Sequence, residues 1–86
     1  MKKNPAILQS IYSIPVVYEE AEEGGYIAYA PTLPGCHSQG ETLEEAEKNI
    51  REAIELYFEV LAEEQDLPQP AKVFSGTIQI SIPSYV

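Results

Sequence analysis

The sequence predicts one α+β domain: a three-stranded antiparallel meander, one helix packed on the sheet, and a C-terminal strand. Apolar and polar residues alternate before residue 40 with the period of two that is typical of strands. After residue 42, apolar residues recur every three or four positions, which is the period of a helix. Alternation returns over residues 74–82. A helix between two strands permits a right-handed crossover, so the last strand could lie parallel to the first.

The first two strands are predicted over residues 10–19 and 26–30. In the first, alternate residues beginning at Tyr12 form one face, and Pro15 removes one ladder donor. The intervening sequence EEAEEGG is an acidic turn whose paired glycines can adopt positive φ. Residues 1–9 are poorly patterned, and Ile7 and Leu8 are candidates to cover a sheet edge.

The third strand is predicted over residues 36–39, between two segments that break regular structure. Pro31 ends the second strand because proline cannot donate to a sheet ladder, and the pair Pro34-Gly35 favours a tight turn. Gly40 ends the third strand. Thr42 is then expected to cap a helix, with Glu45 completing a capping box.

The helix is predicted from Leu43 to about Glu64. Leu56, Phe58 and Val60 make its apolar stripe wider than one sheet needs, which predicts a second contact with a twin subunit or a partner. Two ion pairs are expected at i, i+4 spacing, Glu44–Lys48 and Glu47–Arg51. Glu59, Glu63 and Glu64 crowd the C-terminal end, where the helix dipole disfavours negative charge. These glutamates face either a cationic surface or solvent.

Length and charge limit the functions that the chain can have. With 86 residues it is expected to be a single domain spanning residues 1–86. Its net charge of -9 disfavours binding to nucleic acid or anionic membranes. That charge favours a basic partner or serves solubility alone. Cys36 is the only cysteine, so an internal disulfide is impossible, and this fits a reducing cytoplasm. The sequence shows no signal-peptide pattern and no apolar run long enough for a membrane span.

The residues do not form a recognisable catalytic constellation. His37 is the only histidine, and on a strand its side chain points away from that of adjacent Cys36, so the two make a poor catalytic pair. The carboxylates lie mostly on the helix exterior or in the acidic turn, where a solvated role is expected. The glycines lack the spacing of a phosphate-binding loop. We therefore expect no catalytic residues, no metal site and no cofactor.

Residues 25–53 resemble the HicB antitoxin family. The resemblance is carried by the tyrosine strand YIAYA, the P-x-L-P-G-C turn at 31–36 and the T-x-E-E-A helix start at 42–46. It implies a partial RNase H-like fold, β-β-β-α-β. It also implies that the chain binds and masks a small basic HicA toxin that cleaves mRNA. Many relatives continue into a DNA-binding module, whereas this chain stops soon after its last predicted strand. We therefore expect no separate DNA-binding domain and no direct nucleic-acid binding.

The leading hypothesis is a cytoplasmic, non-enzymatic antitoxin that forms a homodimer or larger oligomer. The alternatives are a stand-alone oligomeric interaction domain without a toxin partner and, third, a weak metal-dependent nuclease. The candidate partner-binding residues come from the outer sheet face, the acidic turn and the helix end. They are Glu19, Glu20, Glu22, Glu23, Tyr26, Tyr29, His37, Ser38 and Glu63.

Overall fold

The computed structural model describes residues 10–84. In chain order it contains β1 (Val17–Glu20), β2 (Tyr26–Tyr29), β3 (His37–Gly40) and α1 (Leu43–Glu63). The strands form one sheet in the order β1-β2-β3, and both neighbouring pairs are antiparallel. The predicted α+β meander followed by a helix is confirmed. The prediction for Ile7 and Leu8 lies outside the described residues.

The first strand is shorter than predicted, because residues 10–16 do not belong to the sheet. β2 has only four residues, all of which pair with Val17–Glu20. The chain leaves β2 at Ala30 and Pro31, so residues 10–16 find no ladder partner there. Ile14 and Val16 nevertheless pack against the core. The alternation of this segment therefore reflects burial on one side without hydrogen-bonded pairing.

The segment between β2 and β3 forms the predicted tight turn. The Cys36 amide donates to the Leu33 carbonyl at 3.0 Å, with Pro34 and Gly35 at the corners. Gly35 has φ of 80°, which is the conformation that the third position of a type II turn requires. Leu33 and Cys36 are both buried. The turn therefore places two apolar side chains under the sheet while its two corner residues stay exposed.

The helix start is confirmed as a capping box. The Thr42 hydroxyl accepts a hydrogen bond from the Glu45 amide at 3.0 Å. Glu45 Oε1 in return accepts from the Glu41 amide at 2.6 Å, one residue before the cap. The predicted ion pair Glu47–Arg51 forms at 3.7 Å. These local interactions fix where α1 begins, directly after β3 ends.

The core lies between the sheet and α1. Ala28 and Ala30 from the sheet side meet Ala46 and Ile50 of the helix, and all four are buried. Because small residues line the facing surfaces of the sheet and of α1, the backbones of the sheet and the helix approach closely. Towards the helix C-terminus Phe58 stacks against Tyr12 with ring centroids 4.8 Å apart. Phe58 thus packs against another part of the same chain, whereas Leu56 and Val60 remain 60% and 44% exposed.

The helix ends in a Schellman motif whose left-handed residue is Gln65. The Gln65 amide donates to the Ala62 carbonyl at 3.0 Å, and the Asp66 amide donates to the Leu61 carbonyl at 2.8 Å. Gln65 has φ of 56°, a conformation that costs an L-residue with a side chain about 1–2 kcal/mol and costs glycine little.

Replacing Gln65 with glycine should therefore stabilise the protein by roughly 0.5–1 kcal/mol, after allowing for the greater freedom of glycine in the unfolded chain. Urea unfolding followed by far-UV circular dichroism measures the change. Gln65→Ala is the matched control, because it removes the same side chain and keeps the left-handed cost. Equal stability of the two variants would contradict this explanation.

The predicted strand over residues 74–82 is not formed, because residues 66–84 carry no regular secondary structure. Both sheet edges end at β1 and β3, so this segment has no ladder partner within the described residues. Its apolar side chains stay in solvent, with Phe74 90% and Ile78 85% exposed. The alternating pattern is real, and the pairing that would make it a strand is missing from the described part of the chain.

Candidate protein-binding surface

One side of the sheet is covered by α1 and the other is uncovered within the described residues. The register pairs Val17 with Tyr29 and Tyr29 with His37, so these three side chains form one row across the strands. Glu19, Ile27 and Gln39 form the next row by the same register. We call these two rows the open face. Ile27 is 38% exposed, and His37, Glu19 and Gln39 are also exposed.

A hydrogen bond within the open face positions Glu19. The Tyr29 hydroxyl donates to Glu19 Oε2 at 3.2 Å, diagonally across β1 and β2. This bond raises the pKa of the Tyr29 phenol above its ordinary value, because ionised tyrosine would lose it and face a carboxylate. Glu19 is thereby held beside the Tyr29 hydroxyl, which orients its carboxylate on the open face.

The acidic turn joins the open face at the end of β1. The Ala21 amide donates to the Gly25 carbonyl at 3.0 Å, and Gly24 and Gly25 have φ of 100° and 77°. Glu20, Glu22 and Glu23 are exposed around this turn. An added Cβ on Gly25 would meet the Gly40 carbonyl oxygen at 2.7 Å, so the turn lies tightly against the end of β3.

This close approach brings the acidic turn next to the helix start. Glu23 lines a shallow cleft together with Glu41 and Glu45, and Tyr26 and Asn49 lie in the same cleft. The Asn49 side-chain amide donates to the Gln39 carbonyl at 2.7 Å, which ties α1 to β3. One end of the molecule therefore concentrates negative charge from two separate stretches of sequence.

The structure brings some of the predicted residues together and separates others. Glu19, Tyr29 and His37 lie on the open face, and Glu20, Glu22 and Glu23 lie in the adjoining turn. Tyr26 and Ser38 lie on the opposite side, because they alternate with those residues along the strands and Ser38 pairs with fully buried Ala28. Their assignment to the outer face is corrected here: Tyr26 packs against the core.

Glu63 lies at the far end of α1 from the acidic turn. The helix has 21 residues, so at 1.5 Å per residue its two ends are roughly 30 Å apart. Glu41 and Glu45, which the sequence reasoning did not include, are the residues that join the turn. The sequence indicates their position through the short separation between Gly40 and the helix cap at Thr42, because this spacing places the helix start at the end of the sheet.

Cys36 and His37 have the environments that strand alternation predicts. Cys36 is 6% exposed in the core, and burial raises the pKa of its thiol above the ordinary value. His37 is exposed at the start of β3. Across residues 10–84, three or more His, Cys, Asp or Glu side chains nowhere come close enough to hold a metal ion together. None of the helices in the same region is long and apolar enough to cross a membrane.

Comparison with known proteins identifies the family. Residues 14–84 match the family model described as the HicB-like antitoxin of bacterial toxin–antitoxin systems. A UPF0150 protein of Synechocystis is 53% identical over 62 residues, which are 71% of this chain and 78% of that protein. A UPF0150 protein of Archaeoglobus fulgidus is 45% identical over 51 residues, which cover 59% of this chain and 74% of the relative. The chain therefore belongs to the HicB-like antitoxin family.

Proposed function

We propose that this protein is an antitoxin that binds a small basic HicA-type toxin, masks its mRNA-cleaving surface, and catalyses no reaction itself. The observation that carries the proposal is the position of the acidic turn directly beside the open face. All fourteen acidic residues lie between Glu19 and Asp66. A basic ribonuclease must present a positive surface to RNA, and a negative surface of this kind competes for it.

In this proposal the open face makes the central contact and the acidic turn steers the encounter. Tyr29 and Ile27 offer amphipathic and apolar area, and Glu19 offers a carboxylate already oriented by Tyr29. Glu20, Glu22 and Glu23 form a charged rim, which is expected to act on the association rate more than on close packing. Tyr26 is reached through the cleft beside Glu23. Ser38 is half-buried on the helix side, so it contributes less. Glu63 serves a second contact at the far end of the helix.

Expectations about the location and the assembly of the protein belong with this proposal. We infer a cytoplasmic location, where the mRNA target of such a toxin is translated. We also infer a homodimer or larger assembly, since Leu56 and Val60 stay exposed on α1 and the C-terminal segment exposes further apolar side chains. We further infer a partial RNase H-like arrangement, and the observed meander and helix support it as its first four elements.

Neutralising the rim should slow association with the toxin. We expect Glu22→Gln combined with Glu23→Gln to lower the association rate constant about threefold to tenfold at low salt, because charge steering is lost. Stopped-flow mixing with a HicA-type toxin measures this rate. The matched control is Glu52→Gln combined with Glu59→Gln, which removes the same charge from exposed positions along α1. It should change the rate by less than about twofold.

Salt provides a second readout of the same proposal. Raising the ionic strength from about 0.02 M to about 0.5 M shortens the screening length several-fold, so the wild-type rate should fall towards that of the rim variant. A wild-type rate that does not change over this range would rule out charge steering.

A stand-alone oligomeric interaction domain is the second candidate, favoured by the exposed apolar residues on α1. It predicts self-association without any toxin in the same host. A weak metal-dependent nuclease is the third. It predicts RNA cleavage by the purified protein with magnesium or manganese that a chelator abolishes, and an inactive preparation would eliminate it.

A further inference from the structure

The C-terminal segment has the alternating sequence of a strand, but its apolar side chains are exposed because it pairs with no other strand in the described part of the chain. We call residues 73–84 the C-terminal arm. Phe74, Ile78, Ile80 and Ile82 recur at even positions and are 90%, 85%, 74% and 75% exposed. The odd positions from Ser75 to Ser81 are polar. An apolar face of this size on an extended segment is typical of an interaction site rather than of free surface.

A complementary site exists along β1. β1 is an edge of the sheet, so its outer backbone groups have no ladder partner within the described residues. Beside that edge, a groove runs between the β1 side and α1. One wall is apolar or aromatic and the other is charged; the lining residues are Tyr12, Ile14, Val16, Tyr18 and Ile54 together with Glu47, Arg51 and Glu55. A strand added to this edge would pair its backbone with β1 and place alternate side chains into the groove.

The arm does not fill the groove of its own chain, since Ile78, Ile80 and Ile82 are exposed and the groove lining includes no arm residue. The Tyr12 hydroxyl donates to the Pro68 carbonyl at 2.7 Å, and Val73 and Ser75 then lie beside residues 13–15. Pro15 has no amide hydrogen with which to begin a ladder at that point. The molecule extends 76 Å with a radius of gyration of 17.7 Å. A compact chain of this length has a radius of about 12 Å.

The distribution of charge along the chain indicates which molecule occupies the groove. Residues 73–86 contain no charged side chain, although the whole chain carries a net charge of -9. The arm is therefore a part of the chain that can approach another copy without bringing more negative charge. It also offers a basic toxin no carboxylate to bind. A second copy of this chain fits both observations, because every copy carries an uncharged arm and a groove with an apolar wall.

We propose that two copies exchange their C-terminal arms, so that the arm of each adds a strand to the β1 edge of the other. Ile78, Ile80 and Ile82 then cover the groove of the partner copy. This exchange completes the four-stranded sheet that the sequence predicts, with the last strand supplied by the second chain. It rests on the self-association inferred under the proposed function and specifies the surface that carries it.

The first test is the mass of the full chain by size-exclusion chromatography with light scattering. The wild type should run at twice the chain mass of 9.5 kDa. Ile80→Glu should weaken dimerisation at least about 100-fold, because it places a charge in the groove of the partner copy. Gln79→Glu is the matched control, since it adds the same charge one position away on the polar side of the arm. It should change the dimer dissociation constant less than about threefold. A monomeric wild type, or equal effects of the two variants, would overturn the proposal.

The second test needs no variant, so it stands even if Ile80→Glu fails to fold. A 1:1 mixture of ¹³C-labelled and unlabelled full-length chains is refolded together and studied by isotope-filtered NOE spectroscopy. Contacts between labelled isoleucine methyls of the arm and unlabelled Tyr12 or Tyr18 rings should appear between chains. A dimer that shows these contacts only within one chain would overturn arm exchange and leave toxin binding untouched.

Discussion

Replacing Gly40 with alanine is expected to lower the free energy of unfolding by about 3 kcal/mol. Gly40 ends β3 directly beneath the first turn of α1. A Cβ at this position would clash with the Ala46 amide nitrogen and would lie 2.8 Å from the Glu45 carbonyl carbon. Both are helix backbone atoms, which cannot rotate away as a side chain does. The helix start must therefore move off the sheet, and the capping box and the Asn49–Gln39 hydrogen bond move with it.

Urea unfolding at one fixed protein concentration measures this effect, because self-association makes apparent stability depend on concentration. Gly76→Ala is the control, since an added Cβ there meets nothing within 4 Å. It should change stability by less than about 0.5 kcal/mol. For an 86-residue domain the total stability is about 4–13 kcal/mol, so a loss of about 3 kcal/mol is a large share of it. A Gly40→Ala protein as stable as Gly76→Ala would show that the helix does not lie this close to β3.

Ile50→Ala should cost a similar amount, about 3–4 kcal/mol, for a different reason. Ile50 is 2% exposed and is the largest fully buried side chain in the described part of the chain. Its neighbours in the core include Ala28, Ala30 and Ala46, which are too small to fill the space that it would leave. The variant therefore loses both the transfer free energy of the side chain and the packing contacts around the cavity.

Leu56→Ala is the matched control for Ile50, because it deletes an aliphatic side chain from the same helix at a position that is 60% exposed. Its cost should stay below about 1 kcal/mol, because most of the side chain is already in contact with solvent. Thermal unfolding of both variants at equal concentration gives the comparison. Equal losses for the two substitutions would mean that α1 packs on the sheet with a different face.

Local chemistry explains why much of the fold was predictable from the sequence. The turn at Pro34-Gly35 and the cap at Thr42 each depend on backbone preferences of one or two residues, and both form as predicted. The helix bounds follow from that cap and from a continuous apolar stripe, and α1 ends at Glu63 against a predicted end near Glu64. None of these features needs knowledge of distant contacts.

Features that depend on pairing were predicted less well. The alternation of residues 10–16 predicted a strand, but a strand requires a neighbour and β2 is too short to supply one. Tyr26 and Ser38 were assigned to the outer face together with Tyr29 and His37. Strand periodicity already contradicts this grouping, since residues separated by an odd number of positions on one strand point to opposite faces.

The candidate surface shows the same division between local and long-range information. The acidic turn was visible in the sequence as a run of glutamates. Its association with Glu41 and Glu45 was not, because it arises from the contact of Gly25 with the end of β3. The arm illustrates the same limit. Its alternating pattern predicts a strand over residues 74–82, but no strand forms there in the described part of the chain, because the pattern does not supply a neighbouring edge.

The most direct test of the proposed function is co-purification of the tagged, full-length protein from its native host, followed by identification of the bound chain. We expect a small basic protein in stoichiometric amount, encoded by the neighbouring reading frame, whose RNA cleavage is suppressed in the complex and restored once the two are separated. Recovery of the protein with no basic partner, or with one whose RNA cleavage is the same bound and free, would contradict the proposal that its acidic surface masks a toxin.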